Sequence, residues 1–181
     1  MASVFLSKTD VEEIRRKVAE HEWASTLLER LRELTACDPT GDDTPYANQE
    51  VWARSQQARD IAIVHAVTGE ETQLEKMIRM FREDFSLDTV NLDTDSAMQS
   101  GAEIGDIMAS DQEITDEYSW GYGLQRIAFF CAYDLTRNHE IWKENDLGAR
   151  LESRMWKALQ IQRAFAANVR GWGNTRAWYN L

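Results

Sequence analysis

The sequence predicts an all-α fold built from antiparallel helical hairpins. Three observations carry that expectation. Only two prolines and nine glycines are spread over 181 residues, so few positions break a helix. Apolar residues recur at helical spacing through most of the chain. No sustained two-residue alternation and no Asn-Gly or Asp-Gly turn marks a strand pair. Read from the residues alone, helices joined by alternating short and long connections fit a bundle, a superhelix or part of an α/α toroid. No tetratricopeptide or ankyrin repeat is present. The length suits a single helical domain over residues 1–181.

The first helix opens at Thr9-Asp10-Val11-Glu12. That spacing reads as a capping box with Thr9 as N-cap and Glu12 three residues on. Val11, Ile14 and Val18 follow on one face. The pattern restarts at His21-Glu22-Trp23, and Leu27, Leu28, Leu31 and Leu34 give a second stripe. Cys37 to Pro45 carries both prolines, a glycine and three aspartates, the chemistry of a loop. A third helix runs from about Asn48 to Thr68, with Trp52, Ala58, Ile61, Ala62 and His65 on one side. Gly69 then suits the left-handed residue that ends a helix. A fourth helix, Glu71 to Asp84, carries Leu74, Met77, Ile78 and Phe81. Phe85 to Glu117 reads as a long irregular connection with one short helix around Ile104, Ile107 and Met108. An apolar helix returns from Trp120 to Thr136, and a last long one spans Glu144 to Asn168.

Composition excludes several function classes. The formal net charge is −11, which opposes a nucleic-acid role because phosphate neutralisation needs a basic face. No Lys or Arg lies between Arg82 and Arg126, while that stretch holds Glu83, Asp84, Asp88, Asp93, Asp95, Glu103, Asp106, Asp111, Glu113, Asp116 and Glu117. These acids match the whole net charge. No apolar run is long enough to cross a bilayer, so no membrane partner is expected. The first residues lack a basic segment followed by a long apolar one, so they are not a signal peptide.

Metal and cofactor signatures are missing. Cys37 and Cys131 have no metal-type spacing, and a free thiol fits Cys131 in its apolar run, with a disulfide as the alternative. His21, His65 and His139 read as isolated from one another, which gives zinc no support. Asp88, Asp93 and Asp95 do not fit a calcium loop, and a solvated acidic loop is the plainer reading. No cofactor and no metal are expected.

Two aromatic–glycine clusters are the candidate binding residues. Arg170–Asn180 holds Trp172, Asn174, Arg176, Trp178 and Tyr179 around two glycines; Tyr118, Trp120 and Tyr122 form the other. Aromatic faces stack on sugar rings, while arginine and asparagine grip carboxylates and hydroxyls. Arg126, Arg170 and Arg176 are the cations nearest these clusters. The plainer reading makes Asn174 a helix N-cap, the aromatics plugs between helix ends and the arginines ordinary surface charges.

Four stretches together resemble the heparinase II/III and alginate lyase group of polysaccharide lyases. They are Phe5–Ile14 with Glu22-Trp23-Ala24; Ala62–Glu71, with its Thr68-Gly69-Glu70 turn; Phe129–Leu135, with Ala132-Tyr133-Asp134-Leu135; and Asn174-Thr175-Arg176-Ala177-Trp178-Tyr179. The resemblance implies an incomplete α/α toroid and cleavage of uronic-acid polysaccharides by β-elimination. It also implies that Asn174 neutralises the C5 carboxylate, with Tyr118, Trp120, Tyr122, Arg126, Trp172, Arg176 and Trp178 binding the anionic polysaccharide or oligosaccharide. Thr175 stands where the alginate-lyase branch commonly has histidine, which blurs the substrate. The family's catalytic tyrosine and a further histidine normally lie beyond this motif. The chain is therefore expected to be the N-terminal part of a larger lyase, secreted or periplasmic, and inactive alone. Two alternatives stay open. One is an α/α-barrel glycoside hydrolase using Asp116, Glu117 and Asp134; the other is a non-catalytic helical scaffold that binds glycan or protein.

Overall fold

The computed structural model describes residues 5–41, 46, 50–85, 87, 122–153 and 155–156. The chain is mostly helical, and among the described residues there is no strand. Among the described residues the helices include α1 (Lys8–Glu20), α2 (Glu22–Ala36), α3 (Glu50–Thr68), α4 (Leu74–Asp84) and α5 (Tyr122–Thr136). Two 3-10 turns follow, Glu140–Trp142 and Glu144–Asp146. The backbone falls into two compact units, Met1–Asp84 with Arg126–Asn145, and Phe85–Gln125 with Asp146–Leu181.

In the first unit α1 packs on α2, α2 on α3 and α3 on α4, and α1 also reaches α3. Central placement follows from the sequence of α3. Ala53, Ser55, Gln57, Ala58 and Ala62 are fully buried and spread over a wide arc of the helix. Small buried side chains over so wide an arc let three helices approach, whereas a narrow stripe admits only one neighbour. Leu28 of α2 and Val64 and Val67 of α3 form a core cluster, with Ile14, Val18, Leu31 and Ile63 packed against it. A bidentate ion pair joins α3 to α4: Arg54 Nε donates to Asp84 Oδ2 at 2.9 Å and Nη2 to Oδ1 at 2.6 Å.

Aromatic rings hold α4, α5 and the first 3-10 turn together. The Phe81 and Phe129 centroids are 4.6 Å apart. Trp142 stands edge-on to Phe81 at 5.0 Å and to Tyr133 at 4.9 Å. Its indole N–H donates to Thr136 Oγ1 at 3.1 Å, and that hydroxyl donates to Ala132 O at 2.8 Å. The polar end of the buried tryptophan is therefore satisfied.

Helix ends are closed by neighbours as much as by local residues. The last carbonyls of an α-helix have no partner inside it. Arg15 of α1 donates from Nε to Val67 O at 2.8 Å and from Nη2 to Ala66 O at 2.7 Å, closing α3. Gln57 Nε2 of α3 donates to Leu34 O and Cys37 O, each at 2.9 Å. Lys76 Nζ of α4 donates to Thr35 O at 2.9 Å and Cys37 O at 2.7 Å. These two side chains close α2, whose own last turn has no basic residue.

Three boundaries differ from the sequence expectation. The first N-cap is Ser7, not Thr9: Ser7 Oγ accepts from Asp10 N at 3.2 Å, and the Asp10 carboxylate accepts from Ser7 N at 2.8 Å. Two overlapping boxes share the stretch, and the earlier one leaves Thr9 already inside the helix. α4 begins at Leu74 rather than Glu71, because residues 72–73 form a turn after Gly69. Gly69 has φ +81°, as a left-handed C′ residue requires. The expected helix from Glu144 is broken at its start by Asn145 and Asp146, with φ of 49° and 56°. Asn and Asp tolerate that region better than most residues. Helix then runs over 147–153. In this second unit Leu147 and Leu151 are buried one turn apart. The short helix expected around Ile104, Ile107 and Met108 lies outside the described residues.

Candidate functional site

Most of the residues singled out from the sequence lie outside the described region. These are Tyr118, Trp120, Trp172, Asn174, Arg176 and Trp178, together with Arg170, Asp116 and Glu117. The backbones of Tyr122 and Arg126 belong to α5; their side chains also lie outside it.

Asp134 is described, on the last turn of α5. Its Oδ2 accepts from Phe5 N at 2.9 Å, and its Oδ1 lies 3.6 Å from Arg137 Nη1. The carboxylate therefore ties the segment before α1 to the end of α5. Two of the stretches that carry the family resemblance meet through this bond.

The Gly69 turn, within another of those stretches, meets the segment that follows α5. His65 closes α3 and His139 follows α5. Their rings stand perpendicular with centroids 5.2 Å apart. His139 Nε2 is 3.1 Å from Glu71 Oε1, and His65 Nδ1 is 3.0 Å from Glu70 O. The expectation of isolated histidines is thus corrected for this pair. Sequence spacing gave no sign of it, since tertiary packing alone unites the two turns. His21 stays apart and stacks on the exposed Trp23 at 6.0 Å.

A cleft of about 120 Å³ opens between α2, α3 and the Gly69 turn, lined by Arg32, Thr35, Ile61, Val64, Glu70, Thr72 and Gln73. A cavity that holds one benzene measures about 150 Å³, so a whole pyranose ring does not fit inside. Arg32 spans its edge and pairs with both Glu29 and Glu70. Burial opposes the Arg32 charge, but the bond to Glu70 and the fields of both carboxylates outweigh it and raise its pKa. This arginine has its partners within the chain and is no free anion receptor.

Two titratable groups elsewhere, Cys131 and Tyr46, are poorly suited to nucleophilic or base chemistry. Burial pushes the Cys131 thiol up from its ordinary value, so it holds its proton. Burial, with the Asp60 carboxylate next in effect, likewise raises the Tyr46 phenol. Cys37 and Cys131 are both free thiols, which settles the disulfide alternative. Among the described residues no cluster of three metal-ligating side chains occurs, and no helix is long and apolar enough to cross a membrane. No family model, curated protein or solved structure matches the chain.

Proposed function

We propose that this chain is part of a polysaccharide lyase that cleaves a uronic-acid-containing polymer by β-elimination, and that its helices contribute to an incomplete α/α toroid. The reading rests on the Asn174-Thr175-Arg176-Ala177-Trp178-Tyr179 motif and on its order after three other matching stretches. The all-α architecture supports it, as does the pairing of helices adjacent in sequence.

In this reading the Asn174 amide donates to the C5 carboxylate of the sugar. Withdrawing charge from that carboxylate acidifies the C5 proton, and a base removes it. Charge then develops on the carboxylate as an enolate-like intermediate, which fixed donors stabilise. A general acid protonates the departing glycosidic oxygen. Arg126 and Arg176 draw the anionic polymer in. Trp120, Trp172 and Trp178, with Tyr118 and Tyr122, stack on successive sugar rings.

The test combines binding with turnover. Oligomers of alginate, heparin, heparan and chondroitin are titrated against this chain. The protein made from the natural reading frame is assayed for ultraviolet absorbance of the new C=C bond. One polymer is expected to bind and to yield absorbance that Asn174→Ala reduces by about 10²-fold or more. A folded protein that neither binds nor cleaves any of the four polymers overturns the proposal. Binding without cleavage, unaffected by Asn174→Ala, replaces it with a glycan-binding scaffold.

A further inference from the structure

We propose that the exposed face of α2 is a docking surface for a second copy of this chain, on which the two α2 helices pack antiparallel about a two-fold axis. The lyase reading plays no part in this. At 3.6 residues per turn, Trp23, Leu27, Arg30 and Leu34 fall within about 60° of one another round the helix. A different side of α2 carries Ala24, Leu28 and Thr35, which are buried. Trp23 is 58% exposed and Leu27 59%, whereas Leu34 is half-buried. Tryptophan is highly buried on average, yet here an indole and a leucine side chain stand one turn apart in solvent. His21 stacks on that indole, with the two planes 16° apart. The ring is therefore oriented before anything docks, which lowers the cost of docking.

Charge decides what can cover this face. Glu22 stands at its N-terminal end and Arg30 two turns further on, and both are exposed. Among the described residues neither has an ion-pair partner, whereas Glu29 is held by Arg32 and Glu20, just before the helix, by Arg16. A face edged by one sign alone would call for a partner of the other sign. This one runs from an anion through two apolar side chains to a cation, an order complementary to its own reverse. A two-fold axis across α2 supplies that reverse. It sets Leu27 beside the partner's Leu27. Arg30 then meets the partner's Trp23, whose ring face attracts a guanidinium, and reaches the partner's Glu22 next to it. Glu22 and Arg30 lie to the same side of Trp23 on the helix circumference, and an axis of this kind brings like sides of the two copies together. In this register Glu33 projects beyond the start of the partner's α2.

Two features set the strength of this association. Each copy carries a formal net charge of −11, so the copies repel at long range. The contact is one helix face on each side, which places it at the small, weak end of protein–protein interfaces. At about 0.15 M salt the repulsion is screened beyond about 8 Å, while groups in direct contact still attract. The dimer therefore belongs to micromolar and higher concentrations at physiological salt.

The experiment is sedimentation equilibrium of the whole chain from about 1 μM to about 1 mM, at about 0.15 M salt. A monomer–dimer equilibrium is expected. Trp23→Ser or Leu27→Asn is expected to raise its Kd about tenfold or more, as loss of a central anchor does. Glu22→Lys and Arg30→Glu are each expected to weaken it. An equimolar mixture of those two variants is expected to dimerise as the wild type does, because each supplies the charge that the other lacks. Recovery on mixing separates a contact across the dimer from any effect of Glu22→Lys on α2 itself, whose first turn favours an acid. A wild-type chain that stays monomeric throughout overturns the proposal. So does a dimer indifferent to Trp23→Ser and Leu27→Asn, or a mixture that fails to recover. A monomer whose Trp23 indole resonance moves on adding an oligouronide or a basic amphipathic peptide gives the face to that occupant instead. All four substituted side chains are exposed, and the wild-type measurement needs no variant.

Discussion

Gly69 shows how one residue without a side chain directs the chain. Its φ of +81° ends α3 and aims Glu70 and Glu71 toward Arg32 and His139. No atom lies within 4 Å of where a Cβ would stand, so a substitution there meets backbone strain and no steric clash. Gly69→Ala is expected to cost about 1 kcal/mol, read as a lower urea midpoint with an unchanged m-value. Phe81 makes the opposite case. It is fully buried between Phe129 and Trp142, and Phe81→Ala is expected to cost about 3–5 kcal/mol. A loss below about 1 kcal/mol in chemical denaturation would show that the aromatic cluster is not the core of this unit.

Helices here were legible as elements and less so at their ends. The 3.6-residue stripes and the Thr68-Gly69 ending placed α2, α3 and α5 within a few residues of where they lie. The start of α1 was ambiguous because Ser7-x-x-Asp10 and Thr9-x-x-Glu12 satisfy the same rule. Gln57 as a cap for α2 left no trace in the sequence, since a glutamine among alanines carries no record of a carbonyl on another helix. The same holds for His65 and His139, united only by packing. The aromatic clusters carry the functional reading through chemistry and order alone. Acid stability tests the Ser7 box directly. The Ser7 hydroxyl, then its backbone N–H, hold the Asp10 carboxyl below its ordinary value. A carboxyl lowered in the folded state stabilises above its unfolded value of about 3.9 and ceases to do so as the pH falls through the folded value. Ser7→Ala is therefore expected to lower the neutral Tm and to flatten the loss of Tm below about pH 4. An unchanged acid slope would remove Ser7 from that role.

Across the whole molecule charge is the dominant property. The formal net charge of −11 equals the acids between Arg82 and Arg126, and the proposed substrate is itself a polyanion. Long-range repulsion and short-range arginine contacts therefore oppose each other, and salt separates them. The Debye length falls from about 30 Å at 0.01 M to about 8 Å at 0.15 M, a distance that still spares contacts at hydrogen-bond range. Affinity for an oligouronide is thus expected to rise between those two salt concentrations, while affinity for a neutral oligosaccharide stays constant. A fall for the oligouronide over that range would mean that the acidic stretch lies too far from the bound sugar to repel it.

The closure of α2 by Gln57 and Lys76 has a kinetic meaning. Its final carbonyls are satisfied by side chains 20 to 41 residues further along the chain. During folding the body of α2 can form from local contacts, but its last turn must wait until α3 and α4 have docked. Mutations of Gln57 or Lys76 should then speed unfolding and leave the folding rate nearly unchanged, the signature of a contact absent from the transition state. A peptide of α2 alone should fray from Leu34 onward. The order in which this unit assembles is written in which helix supplies the cap.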